Sequence, residues 1–218
     1  MCFSATASFI AGAALSVMGA ATLRATRTSA EIPFATIPLL FGIQQIVEGV
    51  LWLSFTFDAP QLNAAMTYLF SMFSHVLWPI FVPFSIGLLE DVPWRRRAIW
   101  GFLALGIFVG LYLLYVLVDF PVTSVAAANI VYVSPHFYEI PVMLLYVAAT
   151  CVSCLFSSKA IIRLFGALAF VLFALAYGFF IVALFSVWCF FAAILSSIIY
   201  AHFRFGRAMT ASRPDGVT

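Results

Sequence analysis

One carboxylate stands where a carboxylate is costly. Glu48 lies in the run FGIQQIVEGVLW, deep in an apolar stretch. Charged groups inside a membrane are rare and tend to mark function. Gln44 and Gln45 precede Glu48 by four and three residues, so on a helix all three share a face. Downstream, YLFSMFSHVLWP puts Ser71, His75 and Trp78 on one face, and HFYEIP puts His136 three residues from Glu139. Met143, Tyr146, Thr150, Ser153 and Ser157 extend that second stripe at three-to-four spacing. SVWCFFAAILSS sets Ser186, Cys189 and Ser196 on one face. Cys2 follows the initiator Met, and loss of that Met would leave a free amine beside a thiol, a chelate and a conceivable nucleophile. Glu, His and Cys are transition-metal ligands, and zinc accepts all three. The expected metal-ligating set is therefore Glu48, His75, His136, Glu139, Cys189 and Cys2, with a transition metal such as zinc as the cofactor. The plainer reading is a set of buried hydrogen bonds that fix helix register, each worth about 0.6 kcal/mol.

The elements that must carry these residues follow from composition. Of 218 residues, 65% are hydrophobic and 8% charged. A soluble domain carries about 25% charged residues, so lipid is the solvent this surface fits. No basic run has the aromatic interleaving of a nucleic-acid surface, which excludes that partner class. A helix needs roughly 20 apolar residues to cross the hydrocarbon core. Candidate spans are 4–23, 33–55, 64–89, 98–118, 137–157, 160–182 and 184–204, with the sixth break, near Tyr177 and Gly178, the weakest. The expected fold is all-α, a polytopic bundle of about seven transmembrane helices over residues 1–207, with a disordered cytoplasmic tail at 208–218. On this map the basic residues all fall on one side, which the positive-inside rule makes cytoplasmic, with the N-terminus outside and the C-terminus inside. The first span lacks the basic start of a cleavable signal peptide.

Smaller features complete the pattern. Ser8, Gly12, Ser16 and Gly19, and Gly106 with Gly110, form small-residue faces suited to close helix approach. Cys151 and Cys154 read as small packing residues. Trp52 and Trp188 are expected near outer span ends, and Trp94 and Trp100 near inner ends, as an interfacial belt. Glu90 and Asp91 beside Arg95, Arg96 and Arg97 read as a solvated, self-paired loop that meets anionic lipid.

At MCFSATASF, IPLLFGIQQIVEGVLW, WPIFVP and SVWCFFAAILS the chain resembles a family of bacterial multi-pass membrane proteins of unknown function. The resemblance covers nearly the whole chain. It implies a bacterial membrane protein and brings no activity with it; the location expected for this chain is the inner (plasma) membrane. It places Cys2, Gln44, Gln45, Glu48, Trp188 and Cys189 in signature strings. A weaker resemblance is to membrane-embedded zinc hydrolases of the ceramidase and progestin-receptor type. It rests on Glu48 and on Ser71-x-x-x-His75, and it lacks the later H-x-x-x-H.

Together these readings predict a polar pocket that opens outward, lined by spans two, three, five and seven. Its expected ligand-contacting residues are Gln44, Gln45, Glu48, Ser71 and Trp188, and its ligand a metal ion or a small polar molecule. Three alternatives stay open: a metal-dependent hydrolase acting on lipid, a small-solute transporter or channel, and a non-catalytic sensor or assembly partner. The expected partners are the lipid bilayer and either a second membrane protein or a further copy of the chain.

Overall fold

The computed structural model describes residues 4–134 and 139–206. Six helices are long and apolar enough to cross a membrane: α1 (Ala5–Arg24), α2 (Ser29–Thr56), α3 (Pro60–Leu89), α4 (Pro93–Asp119), α6 (Ala160–Phe179) and α7 (Leu184–Arg204). A shorter apolar helix, α5 (Ile140–Leu155), stands between α4 and α6. The protein is thus an all-α bundle of the multi-pass membrane type, with seven helices among the described residues. Their order and breaks follow the expected spans, including the uncertain break, where α6 ends at Phe179. At 16 residues, α5 would be about 24 Å long, just short of a typical hydrocarbon core.

α2 and α7 form the centre. Two-thirds of each apolar window is buried, against 28% in α1 and α6. α1 packs along α2 through the expected small residues. A methyl group at Gly19 would lie 2.5 Å from the Leu39 backbone nitrogen, and one at Gly12 would lie 2.7 Å from Ile46. Gly106 of α4 lies against the Pro79 carbonyl of α3, where an added Cβ would be only 1.9 Å from the oxygen. That carbonyl has no N–H four residues on, because residue 83 is also proline. Cys154 packs on Gly166 of α6, and Cys151 and Cys154 are buried free thiols, as packing residues should be.

The loops on the basic side are clamped together. Glu90 is buried and accepts hydrogen bonds from the Ser158 backbone N–H at 2.6 Å, the Val92 N–H at 3.0 Å and the Ser157 hydroxyl at 3.1 Å. Arg95 donates to the carbonyls of Phe156 and Ser157, and Arg163 to those of Ser157 and Ser158. These are the carbonyls that the end of α5 leaves without helical donors. Lys159 pairs with Asp91 at 2.8 Å. The loop expected to pair with itself is instead the tie between α3–α4 and α5–α6, because orphan backbone groups compete better for its charges than exposed neighbours do. Burial raises the Glu90 pKa, but the Ser158, Val92 and Ser157 donors outweigh it and hold the carboxyl below its ordinary 4.5.

At the opposite end the chain between α4 and α5 forms a hairpin. β1 (Thr123–Ala126) pairs antiparallel with β2 (Ile130–Val133), Thr123 facing Val133. The sequence reading foresaw only a break there. Ile130 and Tyr132 pack with Val47, Leu51, Phe70, Phe185 and Cys189, and Tyr132 stacks on Phe70 at 4.5 Å. The hairpin is thus an apolar cap over α2, α3 and α7.

Gly106→Ala should cost about 1–3 kcal/mol, because a methyl cannot fit against backbone. Gly101, on the same helix, has nothing within 4 Å, so Gly101→Ala should leave the thermal midpoint in detergent unchanged or slightly raised. A depressed folded pKa means that the Glu90 clamp contributes stability above pH 4.5, lost as pH falls through the folded value. Between about pH 6 and about pH 3 the wild-type midpoint should therefore fall further than that of Glu90→Gln.

Candidate functional centre around Glu48

Helix periodicity sets the inward face of α2. Gln44, Gln45 and Glu48 are all fully buried. α7 supplies the nearest partner: the Ser186 hydroxyl donates to Glu48 Oε1 at 2.6 Å. One turn on from Ser186, Cys189 is buried in the cluster that also holds Val47 and Leu51 of α2 and Phe70 of α3. α3 supplies Trp78, whose indole N–H donates to Gln44 Oε1 at 2.8 Å while its ring stacks on Phe41 at 4.0 Å.

A local departure from α-geometry positions the α3 residues. Residues Met72–Leu77 form a π-turn, and the Trp78 N–H reaches back to the Phe73 carbonyl. The Ser74 carbonyl then lacks its usual donor, and Pro79 offers no N–H in its place. The Tyr146 hydroxyl of α5 donates to that carbonyl instead. His75 sits inside the π-turn, its Nδ1 hydrogen-bonded to Ser74 Oγ at 2.6 Å and its ring 4.2 Å from that of Phe185. Single π-turns are rare and concentrate at functional sites. A second one, Ala148–Val152, lies in α5.

Several buried polar atoms at this level have no hydrogen-bond partner among the described residues. They are Glu48 Oε2, Gln44 Nε2, both amide atoms of Gln45, and the hydroxyls of Ser71 and Ser8. Ser8 belongs with them by register: Phe9 of α1 lies against Gly49 of α2. Buried polar groups are nearly always satisfied by protein, water or ion. These unpartnered atoms lie on α1, α2 and α3.

The sequence-predicted residues divide clearly. Gln44, Gln45, Glu48, Ser71, His75 and Cys189 are brought to the same region of α2, α3 and α7. Trp188 is buried in the bundle rather than at an interface, with its N–H donated to the Ala169 carbonyl at 3.2 Å. Its ring walls a small cavity of about 30 Å³ that Trp78, Tyr146, Cys151 and Cys189 also line. Glu139 is exposed and accepts from the Tyr112 hydroxyl at 3.3 Å, away from the buried Glu48. Cys2 and His136 lie outside the described residues. Among the described residues no three His, Cys, Asp or Glu side chains stand close enough to hold a metal ion. The pocket expected to open outward is closed, because the β1–β2 hairpin packs over it and every described centre residue is buried. Ser74 and Ser8 escaped the sequence reading as site residues, although S-x-x-S-H and the small-residue stripe carried both.

The family pattern described as a family of unknown function (DUF6629) matches residues 1–214. The chain belongs to this family. No curated protein and no solved structure matches it.

The Gln44–Trp78 bond can be weighed by a double-mutant cycle with Gln44→Leu and Trp78→Phe. The coupling should be about 0.6 kcal/mol and no more than about 1.7 kcal/mol. Additivity to within about 0.3 kcal/mol would show that the two side chains do not meet.

Proposed function

We propose that this protein is a bacterial inner-membrane protein whose Glu48 centre holds one small ligand, a transition-metal ion such as zinc. The group of orphaned polar atoms around Glu48 Oε2 carries this reading. The scale of the centre supports it too. The cavity beside it, about 30 Å³, admits a water or two but no drug-sized molecule. A metal ion needs only donors about 2 Å away. Glu48 would anchor the ion, with the Cys189 thiol and the Gln45 and Ser71 oxygens as its other donors. The cap over the centre and the buried surroundings would exclude water and set the affinity.

A held ligand is favoured over a path across the bilayer. The stripe on α5 spends its hydroxyls locally: Thr150 donates to the Tyr146 carbonyl and Ser153 to that of Ala149. In orientation, the described Arg and Lys side chains gather at the end where the α1–α2, α3–α4 and α5–α6 loops meet. The positive-inside rule supports reading that end as cytoplasmic, with the Glu48 centre in the outer half of the membrane. A partner membrane protein or a second copy of the chain would pass on any signal.

Elemental analysis of detergent-purified protein should find close to one metal ion per chain. Glu48→Gln should lose it at matched thermal stability, whereas Glu139→Gln should keep it. Equal absence of metal from the wild type and Glu48→Gln would sink the proposal.

A further inference from the structure

A second cleft lies at the basic end of the bundle, about 26 Å along α2 from Glu48 by helical rise. Its volume is about 420 Å³, and the start of α2, the end of α3, the start of α6 and the end of α7 line it. The inner wall is apolar, built from Phe34, Leu88, Ile162 and Phe203. The rim is polar, with Glu31, Asp91 and Lys159 charged and His202 beside them. An apolar wall under a charged rim, at the end of membrane-spanning helices, matches an amphiphile rather than a soluble metabolite.

The charges narrow the class. Among the lining side chains two carboxylates stand against one ammonium, which is already paired with Asp91, so a purely anionic headgroup finds no cation of its own in the cleft. A headgroup with both a phosphate and a primary amine finds Lys159 for the first and Asp91 or Glu31 for the second. The frame is also rigid. The buried Glu90 clamp ties the loops that carry Asp91 and Lys159, and Glu31 is fixed by its bonds from the Arg27 and Thr28 N–H groups. A rim held in place before binding loses little freedom on binding. We infer that this cleft binds one zwitterionic, amine-bearing phospholipid, headgroup on the Asp91–Lys159 rim and one acyl chain along Leu88 and Phe34. Leu88 is 39% exposed and Asp91 84%, so both are open to a lipid from the surrounding leaflet.

The test uses the full-length protein, delipidated in detergent and then mixed with equal phosphatidylethanolamine and phosphatidylglycerol, with bound lipid counted by native mass spectrometry. One phosphatidylethanolamine per chain should survive conditions that strip phosphatidylglycerol, a preference of at least fivefold. Leu88→Trp fills the cleft, and Asp91→Asn removes the amine partner from an exposed position. Each should lower retention at least fivefold while metal content at the Glu48 centre stays unchanged. Equal retention of the two lipids, or full retention in both variants, would overturn the inference. So would soluble phosphoethanolamine binding as tightly as the lipid, since the acyl wall would then contribute nothing.

Discussion

Hydrocarbon offers a polar atom nothing, so a chain this apolar must satisfy its polar groups from within. The described architecture answers that constraint repeatedly. Hydroxyls of Thr22, Thr36, Thr150 and Ser153 donate to carbonyls one turn back on their own helices. The carbonyls left over at the end of α5 are taken by Arg95 and Arg163. The carbonyl released by the π-turn and Pro79 is taken by Tyr146. Small residues serve the same end by another route, since Gly12, Gly19 and Gly106 bring backbones close enough for packing to replace the missing hydrophobic drive between helices.

Against that background the Glu48 centre stands out as the place where the accounting stays open. Ser186 and Trp78 each satisfy one oxygen, and neighbouring atoms on α1, α2 and α3 have no partner among the described residues. The two ends of the bundle divide the work: a charged, clamped end that fixes helix order, and an apolar, hairpin-capped end that shields the centre. The clamp acts through backbone groups, so its strength depends on loop geometry as well as on charge.

Much of this was legible in the chain. Runs of about 20 apolar residues and the charges between them located six long helices and the shorter α5, because length and hydropathy are local properties. Helical spacing alone gathered Gln44, Gln45 and Glu48 on one face, and Ser71, His75 and Trp78 on another. The hairpin escaped notice because IVYV inside a membrane-protein sequence reads as loop or span end, and strand formation there depends on Phe70 as a stacking partner. Trp188 was misplaced for a related reason: its position near a span end says nothing about which way the ring turns, and packing against Tyr146 and Phe173 turned it inward.

The sequence by itself thus determined the solvent, the helix order and the polar faces, since each depends on residues close together in the chain. Tertiary structure decided which faces meet. It set Ser186 on Glu48 across 138 residues and Glu90 on Ser158 across 68, it separated Glu139 from the centre, and it packed a hairpin against α2, α3 and α7. Those outcomes turn on helix rotation and on competition for a few unsatisfied groups, and no single stretch of sequence holds that information.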